Sequence, residues 1–292
     1  MSVNTVGSDG CDGYKMRYNR HNDLVIIDDK VYTDFVGGED NASDKLINQL
    51  CEKLNCKRLA VKSRITSDDF RTPNVRLVRG DNSWVKHKDN GIIYTFDVRK
   101  CMFSFGNIKE KLRVSRLDCT GETIVDLFAG IGYFTLVFAV HCNPQLIHCC
   151  EWNPNSITAL EKNLELNRVS NKCIVHFGDN RDVCPESVAD RVYMGLIPTS
   201  LESLEIACRA LQKDSHKRIL HIHENVSHFG CKTKSDIKII WNNWAQELCA
   251  KISQIMSSIH LNTEWFVEVL DINKVKSYAP RIDHLVVDIK YN

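Results

Sequence analysis

The sequence predicts an α/β protein. A small α/β domain over residues 14–98 is followed, over 99–292, by a mostly parallel sheet flanked by helices and closed by an antiparallel hairpin. Three observations predict this. Short apolar runs alternate with helical patterns from Thr123 onward, the order that builds parallel strands joined by right-handed crossovers. The last two apolar runs have no helix between them, so they pair antiparallel. Between residues 58 and 97, apolar and polar residues alternate with the period of two that marks half-buried strands.

Residues 1–13 are polar and glycine-rich, with no apolar h-region, and predict a disordered N-terminus. Leu24–Asp28 is a short strand. Asp44–Leu54 is a helix, because Leu46, Ile47, Leu50 and Leu54 recur near the 3.6-residue period. Arg58–Arg64, Val75–Arg79, Trp84–His87 and Gly91–Asp97 are strands, and Asp89-Asn90-Gly91 is a hairpin turn. From Val98 the pattern changes. Residues 108–117 form a helix that is basic on one face (Lys109, Lys111, Arg113, Arg116). Strand 123–127 leads to helix 133–141, and strand 147–151 to helix 154–167. Asn153 is the N-cap of that second helix and Pro154 its first residue. Strands 173–177 and 190–194, helix 200–212, strand 218–223 and helix 235–256 follow, and strands 264–272 and 283–290 end the chain. This is the layout of a Rossmann-like methyltransferase sheet, whose ligands sit beyond the carboxyl ends of the strands at the switch point.

With 292 residues and 43% apolar content the chain can bury a sizeable core. No run approaches the roughly 20 apolar residues of a membrane span, so no membrane partner is expected. The thirteen cysteines are scattered, odd in number and without zinc-ligand spacing. They predict reduced, mostly buried thiols in a cytoplasmic protein, with no metal. The net charge of +1 conceals an asymmetry. Residues 53–116 hold sixteen Lys/Arg against six Asp/Glu, and the rest of the chain holds 22 against 31. Such a basic block is the footprint of a polyanion partner. Arg64, Arg71, Arg76, Arg79, Trp84 and Lys86 are candidates to line a nucleic-acid surface, the alternative for Trp84 being a place in the core.

Val125-Asp126-Leu127-Phe128-Ala129-Gly130-Ile131-Gly132 joins a buried strand to a glycine turn and a helix start, a cradle for a nucleotide-like ligand. Asp126 beside the turn repels a pyrophosphate and suits a sulfonium, which points to S-adenosylmethionine. Glu151 ends the next strand at the spacing of a carboxylate that grips ribose hydroxyls. Gly178-Asp179-Asn180 ends the third and offers hydrogen bonds to an adenine edge. The fourth ends in Gly195-Leu196-Ile197-Pro198, without the polar residue that amino-directed methyltransferases carry there. His221 and His223 share a strand face, but no third metal ligand is evident, and they read as polar residues at a strand's exit.

Several segments together closely resemble the tRNA wybutosine-synthesizing protein 2 family. They are Phe96-Asp97-Val98, Cys101-Met102-Phe103-Ser104-Phe105-Gly106-Asn107-Ile108, Glu110-Lys111-Leu112-Arg113, Asp126 through Thr135, Glu151-Trp152-Asn153-Pro154, His176 through Arg181 and Gly195 through Ser200. The likeness also takes in Arg71-Thr72-Pro73 and Ser277-Tyr278-Ala279-Pro280 and runs from about residue 20 to the end. It implies transfer of the α-amino-α-carboxypropyl group of S-adenosylmethionine to C7 of 4-demethylwyosine in tRNA(Phe), at the anticodon stem-loop; the enzyme is expected to be monomeric. Its cofactor contacts fall on Ser104, Lys111, Glu151, Asp179 and Asn180, with Lys111 placed to meet the methionine carboxylate. With the motif residues, the expected cofactor-binding set is Ser104, Lys111, Asp126, Phe128, Gly130, Gly132, Glu151, Trp152, Asp179 and Asn180. Asp179 and His223 are the candidate proton acceptors. The related tRNA guanine-N1 methyltransferases share much of the Ser104–Arg113 segment, but usually carry an arginine where this chain has Phe105-Gly106 and an Asn-Pro-Pro ending where it has Leu196-Ile197-Pro198. A non-catalytic tRNA-binding adaptor is the third reading. Binding of tRNA is predicted to fall steeply with salt, because phosphate contacts release counterions. A flat salt response in a titration would make the basic block a merely solvated face.

Overall fold

The computed structural model describes residues 16–38, 42–64, 72–215, 217–260 and 265–291. The expected disordered stretch 1–13, Arg71 and the first residue of the strand expected from 264 lie outside these. The chain divides into two compact units, Met1–Phe103 and Ser104–Asn292.

In the first unit, strands β1 (Tyr18–His21), β2 (Leu24–Asp28), β3 (Arg58–Lys62) and β4 (Val75–Arg79) form one sheet in that order. Only β2 and β3 are parallel, and that pairing requires a crossover. Helices α1 (Asp29–Val36) and α2 (Asp44–Lys53) supply it. Their buried Tyr32, Val36, Leu50 and Cys51 pack on Val25, Ile27, Leu59 and Val61 of the strands. Neither β1 nor α1 was expected from the sequence: β1 is four residues and α1 eight, too short for a period to stand out. The hairpin of β5 (Trp84–Asp89) and β6 (Ile92–Asp97) turns through Asn90 (φ 47°) and Gly91 (φ 79°). Two left-handed residues are what a two-residue hairpin loop needs. Arg58 ties this hairpin's base to the sheet. Its Nε and Nη2 donate to the Asp23 carboxylate at 2.9 and 2.6 Å, and its Nη1 donates to the Asn82 and Trp84 carbonyls at 2.6 and 2.8 Å.

The second unit carries a seven-stranded sheet of β7 (Thr123–Asp126), β8 (Leu146–Glu151), β9 (Cys173–Phe177), β10 (Arg191–Met194), β11 (Ile219–Ser227), β12 (Val267–Ala279) and β13 (Ile282–Tyr291). The spatial order is β12-β13-β11-β10-β7-β8-β9. Five neighbouring strands pair in parallel, β12 runs in the same direction, and β13 runs antiparallel between β11 and β12. The mostly parallel sheet with its antiparallel C-terminal hairpin is thus present. That hairpin lies at one border of the sheet, with β12 as the edge strand. That edge strand is longer than expected and interrupted by register shifts. Its lysines (Lys274, Lys276) broke the apolar pattern, and charge on an edge also discourages pairing with other chains.

The helices are α3 (Ile108–Val114), α4 (Thr135–His141), α5 (Pro154–Leu166), α6 (Asn180–Val183), α7 (Leu204–Ala210) and α8 (Lys234–Ile259). Helix α4 begins two residues later than expected because Gly130 and Gly132 have positive φ and keep the turn open. Residues 201–203 are a 3₁₀ turn, so α7 is shorter than the expected 200–212. Helix α8 opens on a capping box in which the Thr233 hydroxyl accepts from Asp236 N–H and the Asp236 carboxylate accepts from Thr233 N–H.

The two faces of this sheet differ in kind. Val125, Val192, Met194, Leu220, Ile222, Val287 and Ile289 point to one face and pack against Leu204, Ala207, Leu248 and Ile252 of α7 and α8. Their sequence neighbours Arg191, Tyr193, His221, His223 and Asp288 are also buried, on the opposite face. There Arg113 of α3 donates to Glu110 at 2.7 and 2.9 Å and to Asp288 at 2.5 and 3.2 Å. Among the described residues, five of the sixteen cations in the basic block are internal or paired: Arg58 with Asp23, Lys62 with Asp28, Arg99 with Asp97, Arg113 with Glu110 and Asp288, and Lys111 at 2% exposure. Arg113→Met strands Glu110 and Asp288 inside the fold and is predicted to cost roughly 3–5 kcal/mol of stability. Denaturant unfolding reads this directly, and an unchanged midpoint would mean that the two carboxylates are solvated.

Candidate functional site

The site is assembled from loops at the carboxyl ends of β7, β8, β9 and β10. At the first, Leu127 N–H donates to the Tyr193 carbonyl and Ala129 N–H to the Cys150 carbonyl, both at 3.0 Å, which pins the glycine turn between neighbouring strands. A Cβ at Gly130 would stand 2.7 Å from the Tyr133 ring, and one at Gly132 would stand 3.0 Å from Leu160. Only glycine fits, since φ is 57° and 94° there. Asp126 lies beneath the turn at 1% exposure. Its Oδ1 accepts from Phe128 N–H at 3.2 Å and its Oδ2 from the Thr135 hydroxyl at 2.8 Å. Asp126 therefore braces both ends of the turn from inside.

Glu151 closes the same turn from β8. Its Oε2 accepts from Gly130 N–H at 2.7 Å and its Oε1 from Asn153 N–H at 2.8 Å. Each oxygen keeps lone pairs for a further donor. Burial raises the Glu151 carboxyl above its ordinary range, opposed by those backbone donors. Asn153 Oδ1 caps α5 at Asn155 N–H, as its position before Pro154 predicted. Trp152 is 43% exposed, and Phe128 is half-buried against the α7–α8 core.

At the third strand end Asp179 caps α6 by accepting from Arg181 N–H at 3.0 Å, and its carboxylate also accepts from the Arg181 guanidinium at 2.9 and 2.5 Å. That partner holds its carboxyl below the ordinary value. A carboxylate so stabilised is a weak base. Asn180 Nδ2 donates to the Leu127 carbonyl at 3.3 Å and its Oδ1 accepts from the Ser203 hydroxyl at 3.0 Å. It thus cross-links the first and third strand ends to the turn before α7.

Ser104 precedes the 3₁₀ turn Phe105–Asn107, which leads into α3. Lys111 on α3 sets its Nζ 5.9 Å from the centre of the Tyr133 ring, in the glycine-turn loop. The structure thus gathers the expected Lys111, Gly130, Gly132, Glu151 and Asn180 around one turn, with Phe128 and Trp152 in the adjoining loops.

His223 was expected at a strand exit, and the structure buries it at 1% exposure. Its Nε2 faces the Tyr193 hydroxyl at 2.7 Å and its Nδ1 faces His284 Nε2 at 2.9 Å. Burial lowers its pKa to about 3. His221 is equally buried, between Asp288 at 2.6 Å and Arg191 at 2.7 Å. Period-two alternation placed both histidines on one face correctly. It gave no sign that α3 and α4 cover that face. Sequence reasoning also passed over Glu110, Tyr193 and Asp288, whose importance lies in pairings as far as 175 residues apart. Among the described residues no cluster of three His, Cys, Asp or Glu side chains is placed to hold a metal ion. Among them, too, no helix is long and apolar enough to cross a membrane.

Comparison with known proteins gives the following likenesses. The family described as TRM5/TYW2 methyltransferase domain matches residues 85–240. The tRNA wybutosine-synthesizing protein 2 homolog of Bos taurus is 42% identical over 310 aligned positions, covering 94% of this chain and 70% of that one. The crystal structure of M. jannaschii TYW2 in complex with AdoMet superposes with a TM-score of 0.68 at 27% identity, covering 94% and 99% of the two chains. The complex of aTrm5 and tRNALeu superposes with a TM-score of 0.65 at 25% identity, covering 94% and 72%.

Burial pushes the Asp126 carboxyl up to about 6 from an ordinary 3.8. A raised folded-state value favours the protonated form. The stability it contributes is therefore complete below about pH 4 and is lost as pH rises through about 6. Asp126→Asn abolishes that dependence, so the variant is predicted to gain on wild type between about pH 4 and 7, on the order of 3 kcal/mol. Unfolding curves at the two ends of that window test this. A stability difference independent of pH would mean that Asp126 titrates normally.

Proposed function

The chain belongs to the TRM5/TYW2 methyltransferase-domain family, and from that premise we propose that it transfers the α-amino-α-carboxypropyl group of S-adenosylmethionine to C7 of 4-demethylwyosine in tRNA(Phe), beside the anticodon, in wybutosine biosynthesis. The observation that carries this reading is the near-full-length likeness to relatives of that name, supported by the hydrogen bonds that set Glu151 and Asn180 against the glycine-turn segment.

The crevice suits the donor. Gly130 and Gly132 put no side chain over the turn, where any Cβ would collide with Tyr133 or Leu160. Glu151 holds the ribose hydroxyls with its remaining lone pairs, and Asp179 and Asn180 take the adenine edge. Phe128 and Trp152 offer apolar faces to the base, and Ser104 and Lys111 approach from the α3 side. When bound, the donor supplies a sulfonium leaving group, so that attack by C7 on the γ-carbon of the arm releases methylthioadenosine and a proton. All three carbons on that sulfur share the same activation. The choice among them is therefore positional, and well-oriented geometry can be worth ~7–11 kcal/mol. Of the two proton-acceptor candidates, His223 acts within the fold as a neutral hydrogen-bonding group, and Asp179 is tied to Arg181.

In this reading the small N-terminal domain contacts the anticodon stem-loop through exposed cations such as Arg64, Arg76, Arg79 and Lys86. The protein works as a monomer in the cytoplasm, a reducing compartment that agrees with the free thiols of the described cysteines. The test uses donor labelled either in the carboxyl or in the methyl group, with precursor tRNA. Carboxyl label enters the tRNA, and methyl label leaves in methylthioadenosine. Methyl label in the tRNA would instead assign guanine-N1 methyl transfer. A chain that binds tRNA but no donor would be an adaptor.

A further inference from the structure

Among the described residues Phe229 is the most exposed large apolar side chain, at 85%. It stands in the loop between β11 and α8, where its ring buries almost no area within the fold. The Ser227 hydroxyl accepts from Phe229 N–H at 3.4 Å and ties the loop back to its strand. Arg281 lies over the ring, its guanidinium carbon 5.6 Å from the ring centre. Arg281 belongs to the turn between β12 and β13, and turn and loop are joined. His228 N–H donates to the Arg281 carbonyl at 2.9 Å, and Arg281 Nη1 donates to the Cys231 carbonyl at 3.3 Å.

Arginine is an unusual residue for that backbone. Ala279 pairs with Ile282, so Pro280 and Arg281 make a two-residue turn. Arg281 has φ 59°, the left-handed value that a turn of this kind normally gives to glycine or asparagine. An arginine held there against its backbone preference is a sign that the side chain has a use. Charge around the ring is also one-sided. Lys232 and Lys234 are exposed, and neither has a carboxylate partner among the described residues. The nearby carboxylates are engaged. Asp236 accepts from the N–H groups of Lys232 and Thr233, and Asp283 faces Lys274 at 2.6 Å and His228 at 3.4 Å.

The patch lies beyond the carboxyl ends of the strands, as the candidate site does. β13 is antiparallel to both β11 and β12, so the loop after β11 and the turn after β12 open at the same end of the sheet. Asn225, four residues before Phe229, donates its N–H to the Pro198 carbonyl at 2.8 Å, in the segment that follows β10. β11 and β13 are the first and second strands beyond β10, so loop and turn spring from strands about 5 and 10 Å to its side. An exposed ring with a guanidinium beside it and cations around it suits an unpaired nucleotide, with the base on the ring and the phosphate on the cations. A base inside a duplex has no free face to offer. We propose that Phe229 and Arg281 form a stacking platform for an unpaired nucleotide of the tRNA, close to the one that is modified. The inference rests on tRNA being the substrate and deepens that reading. It gives the second unit its own hold on RNA, at residues outside the basic block of 53–116.

The test measures binding of the full chain to the anticodon stem-loop RNA of tRNA(Phe), and to the same strand annealed to its complement, by fluorescence anisotropy. Phe229→Leu keeps an apolar side chain and removes the ring. Phe229→Trp keeps a stacking face. Arg281→Gly suits the left-handed turn and removes the guanidinium. The Leu and Gly variants are expected to bind the stem-loop about tenfold more weakly, the scale of one lost base stack, and the Trp variant within about twofold of wild type. S-adenosylmethionine affinity should stay within about twofold in all three, which reports an intact fold. Duplex affinity should not respond to Phe229→Leu. Unchanged stem-loop affinity in Phe229→Leu or in Arg281→Gly would overturn the inference and leave the tRNA reading intact. An equal loss in the Leu and Trp variants, or an equal loss for duplex and stem-loop, would overturn it as well. Vesicles containing phosphatidylserine that bind wild type and not Phe229→Leu, with stem-loop affinity kept, would assign the patch to a lipid surface instead. Wild-type protein that binds no stem-loop would end the tRNA reading and this inference together.

Discussion

One guanidinium underlies the architecture of the second unit. Helix α3 has seven residues and little intrinsic stability at that length. Arg113 fixes it to the sheet by bridging Glu110 on the helix itself and Asp288 on β13. From that bridge a buried polar chain runs both ways. One arm passes from Asp288 to His221, Arg191 and Glu122, where Lys217 closes it at the surface. The other passes from Glu110 to Tyr193, His223 and His284. A single proton arrangement serves both arms. Arg191 donates to His221 Nε2, so His221 carries its proton on Nδ1 toward Asp288. Tyr193 donates to Glu110, so it accepts from His223 Nε2, and His223 Nδ1 accepts from His284. The histidines are then neutral, in line with the lowering of all three pKa values by burial.

A polar layer of this kind is demanding. Each buried charge is costly unless paired, and each pairing fixes an angle as well as a distance. Greasy side chains on the same face would hold α3 against the sheet but would leave its rotation and register loosely defined. Glu110 and Lys111 are adjacent, so orienting one orients the other. The segment from Ser104 to Arg113 therefore carries both the clamp and Lys111.

The carboxylates of the unit divide by depth. Asp126 and Glu110 are buried and act on the protein's own groups. Glu151 and Asp179 sit at strand ends, less deeply, and keep lone pairs beyond those their backbone donors occupy. This arrangement favours transfer by positioning. The leaving group is already positively charged, so the chemistry asks chiefly for orientation of the donor. Such a mechanism makes small demands on a general base, which agrees with a site whose sequence candidates are engaged elsewhere.

Much of this was legible in the chain itself. Strand–helix alternation, the glycine turn, the place of Glu151 at the end of its strand and the capping pair Asn153-Pro154 are local signals, because backbone conformation and period depend on near neighbours, and each of these features appears in the structure. Local signals also set the limits of that reading. Eight-residue α1 is too short to show a period, the lysines of β12 hid the extension of an edge strand, and the glycines delayed the start of α4. His223 reads as a strand-exit residue because alternation reports which face a side chain takes and is silent on what covers that face. Whether a charge is solvated, paired or buried depends on atoms far along the chain, as Arg113 with Asp288 illustrates. The sequence by itself determined most strands of the parallel sheet, the hairpin turn and the start of α5, since these follow from short-range sterics and hydrogen bonding. Only the tertiary structure decided which polar residues hold the fold and which are left to meet a ligand, because desolvation and pairing are properties of the assembled interior.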